Sequence, residues 1–133
     1  CKPISVELTY GLERICMFVQ GKKNVFDIDW NDEGVKYKDV YLQSEKEFSA
    51  YNFDHANTDS LLKNFEIAEQ ECKNLLEKKL PLPAYDQCLK ASHIFNLLDA
   101  RGVIAVAERT GYINRIRELA KGAGAGWLEN QKK

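Results

Sequence analysis

The second half of the chain is punctuated as helices. Asn57 or Thr58 can cap a run in which Leu61, Phe65, Ala68, Cys72 and Leu75 step by 4, 3, 4, 3, the stripe of an amphipathic helix. LPLP at 80–83 ends that run. Pro83 suits the first turn of a second helix carrying Tyr85, Cys88, Leu89, Ser92, Phe95 and Leu98 to a stop near Gly102. A third helix, from Val103 to Lys121, carries Ile104, Ile113, Ile116 and Leu119. Three such helices on short turns predict a small antiparallel bundle over 58–121. GAGAG at 122–126 reads as a fraying end, so 122–133 is expected to be a flexible tail.

The first half reads differently. ISVELTY, residues 4–10, alternates Ser5, Glu7 and Thr9 against Ile4, Val6, Leu8 and Tyr10, the pattern of a strand with one polar face. Gly11 breaks it. Residues 12–20 then give a helical stripe of Leu12, Ile15, Cys16 and Val19, with Met17 and Phe18 on the opposite side, and Gly21 as a stop. Apolar groups on both sides predict a helix sandwiched between other elements. NVFDIDW at 24–30 alternates as a second strand ending in the turn NDEG, and VYL at 40–42 is a candidate third. Ser44 and Glu47 stand at capping-box spacing before a short helix with Phe48 and Tyr51. The expected organisation is an α/β remnant over 1–32, an acidic connector over 33–57, and the bundle.

Charge narrows the partners. The formal net charge is −1, which removes bulk attraction to polyanions and leaves only local contacts. From Asp27 to Asp59 nine acids face three lysines, a balance of −6 that repels nucleic acid. Arg101, Arg109, Arg115, Arg117 and Lys121 against Glu108 and Glu118 give a local excess of +3 around Tyr112. That is a solvated helix face or a phosphate-contacting one. No apolar run approaches the roughly 20 residues of a membrane span.

Metal and nucleophile motifs are poor. Cysteines stand at 1, 16, 72 and 88 with no C-x-x-C pair, and three lie in apolar runs, as buried free thiols in a reducing compartment do. DIDWNDEG at 27–34 begins like a calcium loop, but Asp32 and Lys38 occupy the positions that need glycine and glutamate. GAGAG lacks the preceding strand and the lysine–hydroxyl pair of a phosphate loop. His93, with Leu89 and Leu97 four residues to either side, reads as a core-edge histidine, and His55 has no ligand-spaced partner.

One constellation remains. A strand presenting Glu7 and Thr9 leads through Gly11 into a helix starting with Glu13 and Arg14. A cation in a first helical turn is disfavoured by the macrodipole, by up to about 1 kcal/mol. Either a neighbouring acid or a ligand must want it. Gly11 permits close backbone approach, Glu7 can accept from an ammonium or help hold magnesium, and Thr9 can donate to a carboxylate or phosphate. Arg14 offers a flat cation for stacking or forking to phosphate.

VELTYGLERICMFVQG resembles motif 3 of the class II aminoacyl-tRNA synthetases, a strand–glycine–helix unit with G-L-x-R. More closely, KPISVELTYGLERI, VFDIDWND, YNFDHAN, LPLPAYDQCLKASHIFNLLDARGVIAV and ERTGYINRIRELA resemble the α subunit family of the bacterial two-subunit glycyl-tRNA synthetases, over residues 2 to about 121. The resemblance implies an α+β, mainly α chain: the last strand and motif 3 helix of an antiparallel-sheet catalytic domain, then the bundle. It implies a glycine–tRNA ligase that activates glycine with ATP and Mg2+ and transfers glycyl to tRNA(Gly).

By resemblance, Arg14 is the catalytic, ATP-contacting arginine, with Gly11 and Glu13 beside it in the ATP site. Glu7 and Thr9 face glycine, with magnesium as a second role for Glu7, and Arg109, Arg115, Arg117 and Lys121 are candidate tRNA contacts. The implied partners are a β subunit and a second α subunit in a cytoplasmic α2β2 heterotetramer, with no membrane. Motifs 1 and 2 are expected before Cys1, so these residues alone should not activate glycine, and GAGAGWLENQKK departs from the family's usual ending. The alternative is a non-catalytic helical module docking a partner subunit or tRNA.

Overall fold

In the computed structural model, residues 2–132 are described, and they divide into two compact units, 2–50 and 51–132. Among the described residues no strand forms, so the sheet part of the α+β expectation is not met, while the mainly helical part is.

The first unit contains α1 (Leu12–Val19) and α2 (Tyr37–Ala50) with a single 3-10 turn, Val25–Asp27, between them. α1 forms where its stripe predicts and stops through Gly21 at φ 63°. It is not sandwiched: none of its residues is buried, and Phe18 is 89% exposed. The alternating segment 4–10 has no partner strand, and its apolar side chains stand open. Alternation creates the faces of a strand, but only a neighbour's ladder makes one.

The second expected strand is pre-empted locally. The Asn24 side chain accepts from the Phe26 N–H at 2.9 Å and starts the 3-10 turn, a side-chain bond that competes with any ladder. NDEG does turn, with Asn31 Oδ1 accepting from the Glu33 and Val35 N–H groups at 3.1 and 3.2 Å. Only an isolated antiparallel bridge, Asp29 with Lys36, follows. VYL at 40–42 lies inside α2 rather than in a strand. That helix starts seven residues before Ser44, because the Asp39 carboxylate reaches back to the Lys36 N–H at 2.7 Å, half of a capping box.

Gln20 fastens this turn to the end of α1. Its side-chain amide donates to the Asp29 carbonyl at 3.0 Å and accepts from the Asp29 N–H at 2.8 Å. The Asp29 carboxylate pairs with Lys22 at 2.8 Å and with Lys36.

The second unit is a helical hairpin, α3 (Thr58–Glu77) and α4 (Pro81–Ala100), completed by α5 (Val106–Gln131) and preceded by one π turn, Tyr51–His55. Asn57 caps α3, accepting from the Ser60 N–H at 2.8 Å. Pro81 and Pro83 sit in the first turn of α4, where a missing N–H costs nothing. Leu61, Phe65, Ala68 and Cys72 of α3 are buried with Ala84, Cys88, Ala91, Phe95 and Leu98 of α4. Arg101 holds the π turn by donating to the Ala56 carbonyl at 3.0 Å.

The tail expectation is overturned, because α5 continues through GAGAG to Gln131. A Cβ on Gly122 would come within 2.8 Å of Leu76 Cδ1 and one on Gly126 within 3.4 Å of Pro81 Cβ, and Ala123 between them is buried. These residues are small because the end of α5 lies close on the α3–α4 hairpin, and Asn130 ties it there by donating to the Lys79 carbonyl at 3.2 Å. Gly124 differs: nothing lies within 4 Å of its added Cβ.

Inside this unit, Glu69 is buried to 9% exposure and its carboxylate is forked by Arg115, with Nε at 3.1 Å. Lys73 joins at 3.1 Å. The same guanidinium lies over the Phe65 ring at 4.6 Å and the Tyr112 ring at 4.9 Å. Tyr112 in turn packs edge-on to Phe65 and stacks on Phe95.

Two outcomes follow for solution measurements. Gly124→Ala gains helix propensity without a clash and should stabilise by about 0.5–1 kcal/mol in urea unfolding, whereas Gly122→Ala, which must displace Leu76, should gain less or lose; the reverse ranking would contradict the packing described. Lys22 and Lys36 hold the Asp29 carboxyl down to about 2 from its ordinary 3.8. A lowered folded value means that this tether is fully present above the unfolded carboxyl's titration and fades as pH falls towards 2. An NMR titration of the Asp29 carboxyl should show that low midpoint, and Lys36→Met should raise it.

Candidate functional site

The turn that the sequence singles out is built on Gly11. It caps α1 without a side chain, at φ 75°, a conformation that glycine alone adopts freely. Its carbonyl accepts the first helical bond, from the Ile15 N–H at 3.3 Å. The aliphatic stem of Arg14 folds back over this glycine, with Cγ and Cδ both 4.0 Å from where a Cβ would stand. The Arg14 side chain is exposed, and its guanidinium has no ion pair within 4.0 Å among the described residues. A neighbouring acid therefore does not account for the first-turn cation.

Glu7 and Thr9 are brought together. The Thr9 hydroxyl donates to Glu7 Oε1 at 2.8 Å, so the two project to one side of the segment and stand exposed. Glu13 goes elsewhere. Its carboxylate accepts from the Tyr37 hydroxyl at 3.5 Å and lines a cleft of about 320 Å³ with Leu12, Cys16, Ile28, Asp29, Trp30, Tyr37 and Tyr41. Glu7, Thr9, Gly11 and Arg14 are not among the walls of that cleft.

The cleft was missed by sequence reading because its aromatic walls were assigned to other elements. Tyr37 and Tyr41 are four apart on α2, with ring centroids 4.8 Å apart, and Trp30 meets Tyr41 edge-on at 5.6 Å. Reading VYL as a strand puts Tyr41 out of register with Tyr37; the i, i+4 spacing was the available signal. Cys16 is exposed in this cleft rather than buried, whereas Cys72 and Cys88 are buried, and all three are free thiols. Burial pushes both buried thiols up, which keeps them protonated and unreactive.

In the second unit the candidate nucleic-acid cations are unequal. Arg109 pairs with Asp99 at 3.0 Å and Lys121 with Glu118 at 2.6 Å. Arg115 is the packed partner of Glu69, and that carboxylate holds its guanidinium firmly charged. Arg117 is exposed and has no ion pair among the described residues. His93 is exposed instead of lying at the core edge, and shares a shallow cleft with Asn64, Gln87 and Lys90 over Ile67, Ala68 and Ile94. An apolar groove of about 230 Å³ runs between α4 and α5, walled by Leu82, Tyr85 and Trp127 over a floor of Ala120, Ala123 and Gly124.

No group of three metal-capable side chains gathers among the described residues. None of their helices is long and apolar enough to cross a membrane.

Against known families, residues 1–132 match the model described as glycyl-tRNA synthetase alpha subunit, a span that takes in the Gly11 turn and all five α-helices. The chain belongs to the glycyl-tRNA synthetase alpha subunit family.

Proposed function

We propose that this chain contributes part of the activation site of a glycine–tRNA ligase, with Arg14 as the cation that receives ATP. The observation that supports this most is the first-turn guanidinium, exposed and without an acid partner, above a glycine whose missing side chain leaves the backbone open. A charge placed against the helix dipole and without an acid partner among the described residues suits a phosphate or a purine face.

In the proposed reaction a glycine carboxylate oxygen attacks the α-phosphorus of ATP, pyrophosphate leaves, and the glycyl group passes to the 3′ end of tRNA(Gly). Such a step depends on orientation and on preorganised positive charge where negative charge builds up. Glu7 is assigned to the glycine ammonium, held in place by the Thr9 hydroxyl. No group of three metal-capable side chains forms around Glu7 among the described residues. Gly11 keeps the floor clear, and Glu13, turned to Tyr37, is given a different role below.

The partners proposed are the β subunit, tRNA(Gly) and a second α subunit in an α2β2 assembly, in the cytoplasm. Of the four candidate tRNA contacts, Arg117 is the best placed, since Arg115 is paired with Glu69, Arg109 with Asp99 and Lys121 with Glu118. The reading as a non-catalytic docking module draws on the open groove of Leu82, Tyr85 and Trp127.

In the assembled synthetase, Arg14→Ala should lower glycine-dependent ATP–pyrophosphate exchange by about 10²–10³-fold while circular dichroism stays unchanged; an undiminished exchange rate would remove the assigned role. Glu7→Gln should raise the KM for glycine more than that for ATP. Equal increases would count against ammonium recognition.

A further inference from the structure

The cleft between α1 and α2 is not accounted for by the ligase reading, and its chemistry is specific. Its walls are three aromatic rings, Trp30, Tyr37 and Tyr41, and its apolar lining comes from Leu12 and Ile28. Trp30 is 51% and Tyr41 41% exposed, so ring faces remain available to an occupant. Tyr37 and Tyr41 are splayed at 38°, while Trp30 stands at 64° to Tyr41. Rings at these angles enclose a concave space instead of closing on one another.

The charges sort by whether they are already paired. Asp29 is saturated by Lys22 and Lys36. Glu13 has no cation among the described residues, only the Tyr37 hydroxyl at 3.5 Å, the outer limit of a hydrogen bond. Glu45, next along α2, also bears on the Tyr37 hydroxyl and likewise has no cation; together with burial, the two glutamates push Tyr37 up and keep it protonated. Of the two carboxylates that line the cleft, Asp29 is therefore met twice and Glu13 is the one left without a cation.

Each class of occupant meets this differently. An anion is repelled by the unpaired Glu13. An apolar side chain would cover Glu13 and strip it of water without compensation. A cation with an apolar stem satisfies both features, since ring faces attract it and the carboxylate receives it. Between the two natural cations, guanidinium is flat, weakly hydrated and able to fork to a carboxylate while stacking on a ring; ammonium is a strongly hydrated point charge. A volume of about 320 Å³ is at the lower end for small-ligand pockets, room for one long side chain.

We propose that the Trp30–Tyr37–Tyr41 cleft is a receptor for an arginine side chain presented by a partner polypeptide, with Glu13 as the carboxylate that receives the guanidinium. The assignment uses none of Glu7, Thr9, Gly11 or Arg14, and it gives Glu13, which the resemblance sets beside Arg14 in the ATP site, a different role.

The test uses the whole 133-residue chain labelled with 5-fluorotryptophan, whose two tryptophans give two fluorine resonances. Trp127 lies in the groove of the second unit and serves as the internal control. Titration with Nα-acetyl-arginine methylamide should move the Trp30 resonance saturably and leave Trp127 in place. The citrulline analogue, equal in shape but neutral, should bind at least fivefold more weakly, and the capped lysine analogue more weakly than arginine. Free L-arginine, whose own carboxylate is repelled by Glu13, should also bind more weakly than the capped form. Glu13→Gln should weaken the capped arginine at least threefold, and so should Tyr41→Leu, which removes a wall and keeps the carboxylate. An equal response to citrulline, a stronger one to lysine or to the free amino acid, joint movement of Trp127, or unchanged affinity in both variants would each overturn the proposal.

Discussion

Glu69 is a carboxylate enclosed by a helical unit, and the way its charge is met organises that unit. An uncompensated buried carboxylate costs several kcal/mol, so α5 must deliver Arg115 to α3 in one register only. The guanidinium does this as a plane: its edge forks to Glu69 while its faces lie against Phe65 and Tyr112. A lysine could match the charge but not the stack. Tyr112 then reaches Phe95 on α4, so one ion pair connects all three helices through two aromatic contacts. Burial of an ion pair gives little net stability compared with a well-packed apolar substitute; what this one supplies is alignment.

The same alignment explains the glycine-rich end of α5. Once Arg115 fixes the rotation of that helix, the residues two turns further on must pass Leu76 and Pro81 at the hairpin's closed end. Gly122, Ala123 and Gly126 are the side-chain sizes this passage admits. Three glycines in a helix lower its propensity by roughly 1 kcal/mol each relative to alanine, and only contact with α3 and α4 offsets it. The segment is helical because of where it lies, not because of its composition.

That distinction separates what could be read in the sequence from what could not. α3, α4 and α1 were legible because their stripes, caps and stops agree: Asn57 before the run, Pro81 and Pro83 after it, Gly21 and Gly102 at positive φ past the ends. Three kinds of feature were not. Alternation at 4–10 specifies two faces but not the neighbour that turns them into a strand. NVFDIDW alternates too, yet Asn24 diverts its backbone into a turn. GAGAG carries tertiary information in glycines, which composition alone assigns to linkers. The Gly11 turn of the candidate site was legible in the same way as the helices, by glycine at a break and a cation out of place. The aromatic cleft was hidden because α2 starts at Tyr37, capped by Asp39, rather than at Ser44, which puts Tyr37 and Tyr41 on one helix face.

Helical geometry then separates two adjacent charges. Glu13 and Arg14 follow one another in the first turn of α1, and successive residues on a helix point about 100° apart. Neighbours at i, i+1 therefore do not share a face, and here they do not: the carboxylate turns to Tyr37 while the guanidinium's stem lies over Gly11. The dipole at this helix end favours the glutamate and opposes the arginine, so the acid helps the helix start and the base does not. An arginine kept there against the local field, and without an acid of its own among the described residues, depends on something other than the helix to give its position a purpose. On the two proposals made for them, the dipeptide offers its cation to an anion on one face and its carboxylate to a cation on another.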